Sequence, residues 1–260
     1  MGFKHLSPME TKPNAVSQAT KSKLVFDEKL HKYTYEGKEL ESVTTWINRK
    51  FCKPFNALGA AIGKKKSSNN KGISCLAPNK LVKYWKLNAN RAANYGTGAH
   101  EFAEMYDMDP VNTVPEYPKE HAFVAFATAA NKKYRLIETE MRVYNAAFGL
   151  AGTIDRIYFN PKTQSYIIAD LKTSKEMDKY YNKMTNELSA YAQSKINIYR
   201  AQLSIYSELY QLSTKRTVSE LWIVHLKPDA TYDVIKVEHM PEIKTVLASQ
   251  TDYDKLLDSL

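Results

Sequence analysis

The spacing of apolar positions changes several times along the 260-residue chain, and each change predicts an element. Residues 24–38 (LVFDEKLHKYTYEGK) alternate in strand fashion around Tyr33 and Tyr35 and reach Gly37, which predicts a hairpin. Ser42 and Thr44 stand as caps before a helix carrying Trp46 and Ile47. Pro78 suits the first turn of a helix running from about 79 towards 106, with Gly96-Thr97-Gly98 as the place where it could break. Residues 119–134 read as helix. The segments RLIETEMRVYN, LAGTIDRIYFN and QSYIIADLKT then read as strands, the last two separated by Asn160-Pro161-Lys162-Thr163. A long helix over about 186–211, the strands VSELWIVHL and TYDVIKVE, and a helix near 242–258 complete the pattern. Helices, a strand meander, a helix and more strands predict an α/β sandwich with a mixed central β-sheet flanked by helices.

Composition narrows the class. Hydrophobic residues at 43% and charged residues at 25% exclude wholesale disorder and collagen-like structure. Residues 1–22 lack apolar periodicity and read as a mobile arm, without a secretory core and with too little arginine for a transit peptide. Residues 23–260 then form a single domain. No apolar run reaches the roughly 20 residues of a membrane helix, so no membrane partner is expected. Cys52 and Cys75 form no CxxC, which argues against a disulfide framework, a four-cysteine zinc site and an iron–sulfur cluster. The expected setting is a reducing compartment: the cytoplasm of a bacterial or phage-infected cell, with the mitochondrion as the alternative.

Charge is uneven. The net +9 hides a stretch from Glu41 to Glu101 without one acidic residue between them, holding eleven Lys and Arg, among them Lys64, Lys65, Lys66 and Arg91. A polyanion is the natural counterpart of such a block. Trp46, Phe51, Phe55, Tyr84, Trp85 and Tyr95 interleave with it, as single-stranded nucleic acid binding favours. The alternative is a solvated basic surface whose aromatics lie in the core. Residues 42–100 are thus a basic helical region, with 63–72 (GKKKSSNNKG) as a flexible loop.

Candidate chemistry lies in the hairpin of residues 152–172. A turn centred on 161–164 puts Asp155 opposite Asp170 and Lys172 opposite Thr153, all on one face. Opposed carboxylates, with β-carbons roughly 4.5–5.5 Å apart, destabilise a sheet unless a cation lies between them. Hard oxygen donors suit Mg²⁺ or Mn²⁺. Lys172 reaches the same spot, to orient or deprotonate a water or to stabilise charge on a phosphate. Both aspartates facing solvent, with Lys172 neutralising them, is the plainer alternative. His100 and Glu104 share a helical face, as either a surface hydrogen bond or an extra ligand pair. Gln202 and Tyr206 share another within an apolar stripe, where a core hydrogen bond and a substrate contact are equally open.

Taken in order, GAHEFAE (98–104), GTID (152–155), IADLKT (168–173) and QLSIY (202–206) resemble the motif set of the PD-(D/E)XK nuclease superfamily, in its RecB-like exonuclease branch. SVTTWI (42–47), Glu140 and DLKTSKE (170–176) are also similar to the mitochondrial genome-maintenance and phage exonucleases. The resemblance spans roughly residues 24–227 and implies a restriction-endonuclease-like core. It further implies a metal-dependent deoxyribonuclease hydrolysing phosphodiester bonds from DNA ends, in recombination, repair or replication. Structure-specific endonuclease action, or inactive DNA binding, are the alternatives on the same core. By resemblance, Asp155 and Asp170 are metal ligands with the Leu171 carbonyl and His100, for one or two Mg²⁺ or Mn²⁺ ions. Lys172 is the catalytic lysine, and Gln202 and Tyr206 contact the substrate strand. Arg91 matches a DNA-binding arginine, with Lys64, Lys65 and Lys66 on the path of the DNA, and Glu104 and Glu140 match supporting acidic positions. Ile154 stands where the superfamily usually has proline. The expected partner is DNA, as single strands or duplex ends.

Overall fold

A computed structural model describes residues 24–28, 30–66, 76–180 and 182–257, with backbone alone for 65, 66 and 251–257. The expected arm over 1–22, Cys75 and the loop residues 67–72 lie outside the described residues.

The chain opens with three short strands, β1 (Leu24–Asp27), β2 (Lys32–Tyr35) and β3 (Lys38–Ser42). Gly37 turns the second hairpin at φ 83, a conformation that costs glycine little. The third strand extends the single hairpin expected from the sequence. Ser42 then caps α1 (Val43–Phe51), its Oγ accepting from the Thr45 amide at 3.2 Å. Val43, Trp46, Ile47 and Phe51 form its buried face.

Residues 63–66, expected in a loop, instead close a helix, α2 (Ala57–Lys66). Next comes α3 (Pro78–Met108), 31 residues without a break at Gly96 or Gly98. A helix that long extends about 46 Å. Its buried residues are Leu81, Ala99, Phe102 and Ala103, so most of the N-terminal half between Val82 and Gly98 stands clear of the core, braced by α2. Then come α4 (Pro118–Asn131), β4 (Arg135–Asn145), β5 (Leu150–Asn160) and β6 (Ser165–Lys172).

The helix expected from 186 begins only at Lys195: α5 is Lys195–Thr214, capped by Ser194. The residues before it are held by α1 and its exit. The Thr185 amide donates to the Phe51 carbonyl at 2.9 Å, and Gln193 exchanges two hydrogen bonds with the Lys53 backbone. Those tertiary bonds and the left-handed φ of 53 at Asn186 override the local helical pattern. Strands β7 (Val218–Leu226) and β8 (Tyr232–Val237) and helix α6 (Pro241–Leu257) end the fold.

The sheet runs β1-β2-β3-β5-β6-β7-β8, with β4 on the other edge of β5. It is mixed: β3–β5 and β6–β7 pair parallel, the rest antiparallel. One core cluster lies between the sheet and α1, α5 and α6, and includes Ile168, Leu203, Tyr206 and Ile223. The second lies between the other face and α3 and α4, around Phe102, Phe123, Phe126, Tyr158 and Trp222. Burial on both faces explains why β6 and β7 read as near-continuous apolar runs.

Gly152 on β5 lets α5 approach the strand. A β-carbon there would lie 2.5 Å from Tyr206 Cε1 and 2.9 Å from its hydroxyl. Tyr206 is itself buried and hydrogen-bonded. Gly152→Ala is therefore expected to destabilise the protein by about 1–3 kcal/mol, as overpacking does. Thermal unfolding checks this, and an unchanged midpoint would mean that the Tyr206 ring yields freely.

Candidate metal centre

Strand pairing sets the site. From Arg156↔Ala169 to Asn160↔Ser165 the β5–β6 ladder keeps the register expected from the sequence. The ladder ends one pair before Asp155 and Asp170. There the Leu171 amide donates to Asp155 Oδ2 at 2.7 Å. A side chain thus takes the place of a rung where the two aspartates would pair. On the other edge of β5, β4 pairs through Thr139↔Arg156 and Met141↔Ile154, and Glu140 lies between them at φ 48. A left-handed glutamate within a strand is costly and occurs where the surroundings impose it.

Helix α3 supplies the third side. His100 Nδ1 is 3.6 Å from Asp155 Oδ2, beyond hydrogen-bond reach. One ligand atom each of His100, Glu140 and Asp155 lie within 4.8 Å of one another. Gly96, one turn before His100, allows α3 to approach the end of β6: a β-carbon there would meet Thr173 Oγ1 at 3.2 Å. Gly98 faces open space. Seven residues after His100 on the same helix, Asp107 binds the buried guanidinium of Arg156 through both oxygens, one at 2.9 Å. Arg156 also donates to Tyr158 and lies over the Phe123 ring. This buried pair fixes α3, and so His100, against β5.

Behind the triad, Asp170 is 1% exposed. Its Oδ1 accepts from Gln202 Nε2 at 3.3 Å, and the same nitrogen donates to the Tyr206 hydroxyl at 3.1 Å. Lys172 Nζ lies 2.6 Å from Oδ2, off the line of a good hydrogen bond, so that oxygen has an ion-pair partner and no aligned donor. Gln202 and Tyr206 are buried, with Gln202 bonded to Asp170 and to Tyr206, because the apolar stripe of α5 packs on the sheet. The Leu171 amide engages Asp155, which places the Leu171 backbone beside the triad. The Tyr33 hydroxyl lies 2.9 Å from Thr153 Oγ1 and ties the N-terminal hairpin to the same stretch of β5.

Burial, with crowding added, raises the pKa values of Glu140, Asp170 and Glu104. Burial, then Asp155, Glu104 and Asp170, push Glu140 up to about 8. Burial is also the main cause for Asp170, at about 6, with Lys172 opposing and Asp155 adding to it. Glu104 is raised by burial, against the pull of His100. Burial would lower Lys172, but Asp170 and then Asp155 outweigh it and hold the ammonium above its usual range.

The basic region divides. Trp46 and Phe51 belong to the core, whereas Phe55 and Tyr95 are exposed. Trp85 is half-buried beside Phe55. Lys64 is exposed; the side chains of Lys65 and Lys66 lie outside the described residues. Arg91 is exposed, but nine residues before His100 on a helix turn it about 180° away from the triad. The structure therefore brings together His100, Glu140, Asp155, Asp170, Lys172, Gln202 and Tyr206, and leaves Arg91 apart. Tyr33 was singled out in the sequence only as a strand residue of the hairpin, and Asp107 and Arg156 not at all. An isolated arginine in the run TIDRIYF is their only local signal.

No family model matches the chain, and no curated protein matches it. Among solved structures, the chain is similar to a candidate exonuclease from Eubacterium rectale, at 11% identity and a TM-score of 0.37. The match covers 82% of this chain and 77% of that one. A likeness so loose carries no argument, and the site itself must supply one.

Because folding raises the Glu140 pKa from 4.5 to about 8, the folded state holds that proton more tightly than the unfolded state. The resulting stability is present below pH 4.5 and is lost as pH rises towards 8. Glu140→Gln should therefore match wild type near pH 4.5 and exceed it at pH 8, in metal-free buffer, by on the order of 2 kcal/mol after discounting partial exposure. Urea unfolding at the two pH values measures the gap. Parallel curves would remove Glu140 from the buried cluster.

Proposed function

We propose that the chain is a metal-dependent nuclease that hydrolyses phosphodiester bonds in DNA, acting from strand ends. The observation that carries this reading is the His100–Glu140–Asp155 donor group with the Asp170–Lys172 pair directly behind it. Two carboxylates and an imidazole suit Mg²⁺ or Mn²⁺. Their fit is supported by the cost of the site without a cation: three carboxylates cluster there, two with raised pKa values, and Lys172 is the ammonium paired with them. The bound ion would supply a bound water of lowered pKa and counter-charge for the phosphate.

The chain's own groups do the rest. Lys172 stays protonated at neutral pH, so it serves as a donor that orients the attacking water and stabilises phosphate charge, rather than as the base. Gln202 fixes the Asp170 carboxylate, and Tyr206 fixes Gln202. His100 and Asp155, with side chains 30% and 11% exposed, form the open edge where a phosphate can enter. Tyr33 bonds the N-terminal hairpin to β5 beside this edge, and α3 brings His100 to it; a mouth bounded by both elements would favour a strand end. The projecting half of α3, with exposed Lys83 and Lys86, and Lys64 on α2 would track the backbone without reading bases.

End-labelled linear DNA and a closed circle, incubated with Mg²⁺, Mn²⁺ or EDTA, test the reading. Metal-dependent loss of linear DNA alone is expected. It should disappear in Asp170→Ala and fall about 10²–10⁴-fold in Lys172→Met. Nicking of the circle would replace exonuclease by endonuclease action, and an active Asp170→Ala would overturn the site assignment. In a separate binding titration, Lys64→Glu, Lys83→Glu and Lys86→Glu together should weaken DNA binding and lower the salt slope by roughly 2–3. An unchanged slope would take α2 and α3 off the DNA path.

A further inference from the structure

Lys172 is the last residue of β6, and its ammonium has two neighbours. On one side is Asp170 Oδ2, at 2.6 Å. On the other is the ring of Tyr199 on α5, whose centroid lies 4.7 Å from Nζ. Tyr199 stands three residues before Gln202, so one face of α5 presents Tyr199 to Lys172 and Gln202 to Asp170. The ring is itself fixed. Its hydroxyl lies 2.9 Å from Ser174 Oγ, and the Ser174 carbonyl lies 2.7 Å from His225 Nε2 on β7. Lysine carries a flexible four-carbon stem. An ion pair with Asp170 fixes the ammonium on one partner only, whereas the Tyr199 face adds a second attraction at the same nitrogen.

We propose that Tyr199 is a positioning residue, its ring holding the Lys172 ammonium against Asp170 where the attacking water and the phosphate meet. The catalytic consequence rests on the nuclease reading above; the contact itself does not. The ring, and not the hydroxyl, is the working part. Tyr199→Phe keeps it, and Tyr199→Met fills the space without a π face.

Steady-state cleavage of an end-labelled oligonucleotide with Mn²⁺ should show kcat of Tyr199→Phe within about threefold of wild type. Tyr199→Met should lose about tenfold or more in kcat at unchanged KM, as loss of orientation predicts. Three results would overturn the proposal: Tyr199→Met within twofold of wild type, Tyr199→Phe as slow as Tyr199→Met, or a raised KM with kcat preserved. Urea unfolding of wild type, Tyr199→Met, Lys172→Met and the double variant in EDTA provides an answer that needs no activity. Replacing Tyr199 should change the unfolding equilibrium constant by about threefold less when Lys172 is already methionine. Equal effects in the two backgrounds would overturn the contact. Should Tyr199→Met not fold, Tyr199→Leu takes its place in both assays. An inactive wild type would refute the nuclease reading and leave the unfolding cycle to decide Tyr199.

Discussion

Repulsion among buried carboxylates is the constraint around which this molecule is arranged. Glu140, Asp155 and Asp170 converge from three adjacent strands, and like charges so placed oppose folding. The fold tolerates them by several local devices. The β5–β6 ladder stops one pair short, so that Asp155 accepts the Leu171 amide. Glu140 takes a left-handed conformation between two paired neighbours. Lys172 and Gln202 stand against Asp170. Each departs from regular sheet or core chemistry, and all fall within a few residues of one another. Irregularity concentrated in this way is a mark of a site held for function, since a strand selected for stability alone would carry valine or isoleucine at such positions.

The second requirement is that an imidazole be brought to this cluster from outside the sheet. From Val82 to Gly98 helix α3 has no buried residue, so its direction near the site is set by the residues from Ala99 onward. Phe102 and Ala103 supply an apolar seat, but apolar packing is weakly directional and would allow the helix to rotate. Asp107 and Arg156 remove that freedom, because a guanidinium shared with two carboxylate oxygens defines both angle and depth. A buried pair of this kind adds little net stability, as the desolvation of both ions offsets their attraction. Its value is specificity of position, since Arg156 is the residue next to Asp155. The same short stretch of β5 therefore holds a metal-type donor and the anchor of the helix bearing its partner.

Much of this was legible in the sequence, and the failures have physical causes. The β5–β6 register followed from the position of the turn, because antiparallel pairing fixes every later pair. The β7 strand and the Ser42 cap followed from apolar runs and a hydroxyl before a helix. The start of α5 was misplaced, because bonds from residues 185 and 193 to α1 and Lys53 are tertiary and leave no local trace. Residues 63–66 read as loop because lysine runs suggest solvent, although lysine is a good helix former. Within the site, Asp155, Asp170, Lys172 and His100 were legible as residue types at telling spacings. The approach of Glu140 to His100 and Asp155 required the sheet, and the role of Arg156 required α3 in place.

The pair Gln202 and Tyr206 shows how burial changes the meaning of a motif. A polar residue in an apolar helical stripe must find a partner, and the open alternatives were a core hydrogen bond and a substrate strand. In the structure the partner is Asp170. Gly152 on β5 leaves room for the Tyr206 ring, and helix α5 packs close enough for Gln202 to reach that carboxylate. A carboxylate at 1% exposure cannot be held by solvent, so its orientation is set by whichever donors the protein aims at it. Gln202 supplies one donor and Lys172 the opposing charge. Helix α5 is thus a rigid backing to the site, in register with β6, and the geometry of Asp170 is inherited from core packing rather than from a loop.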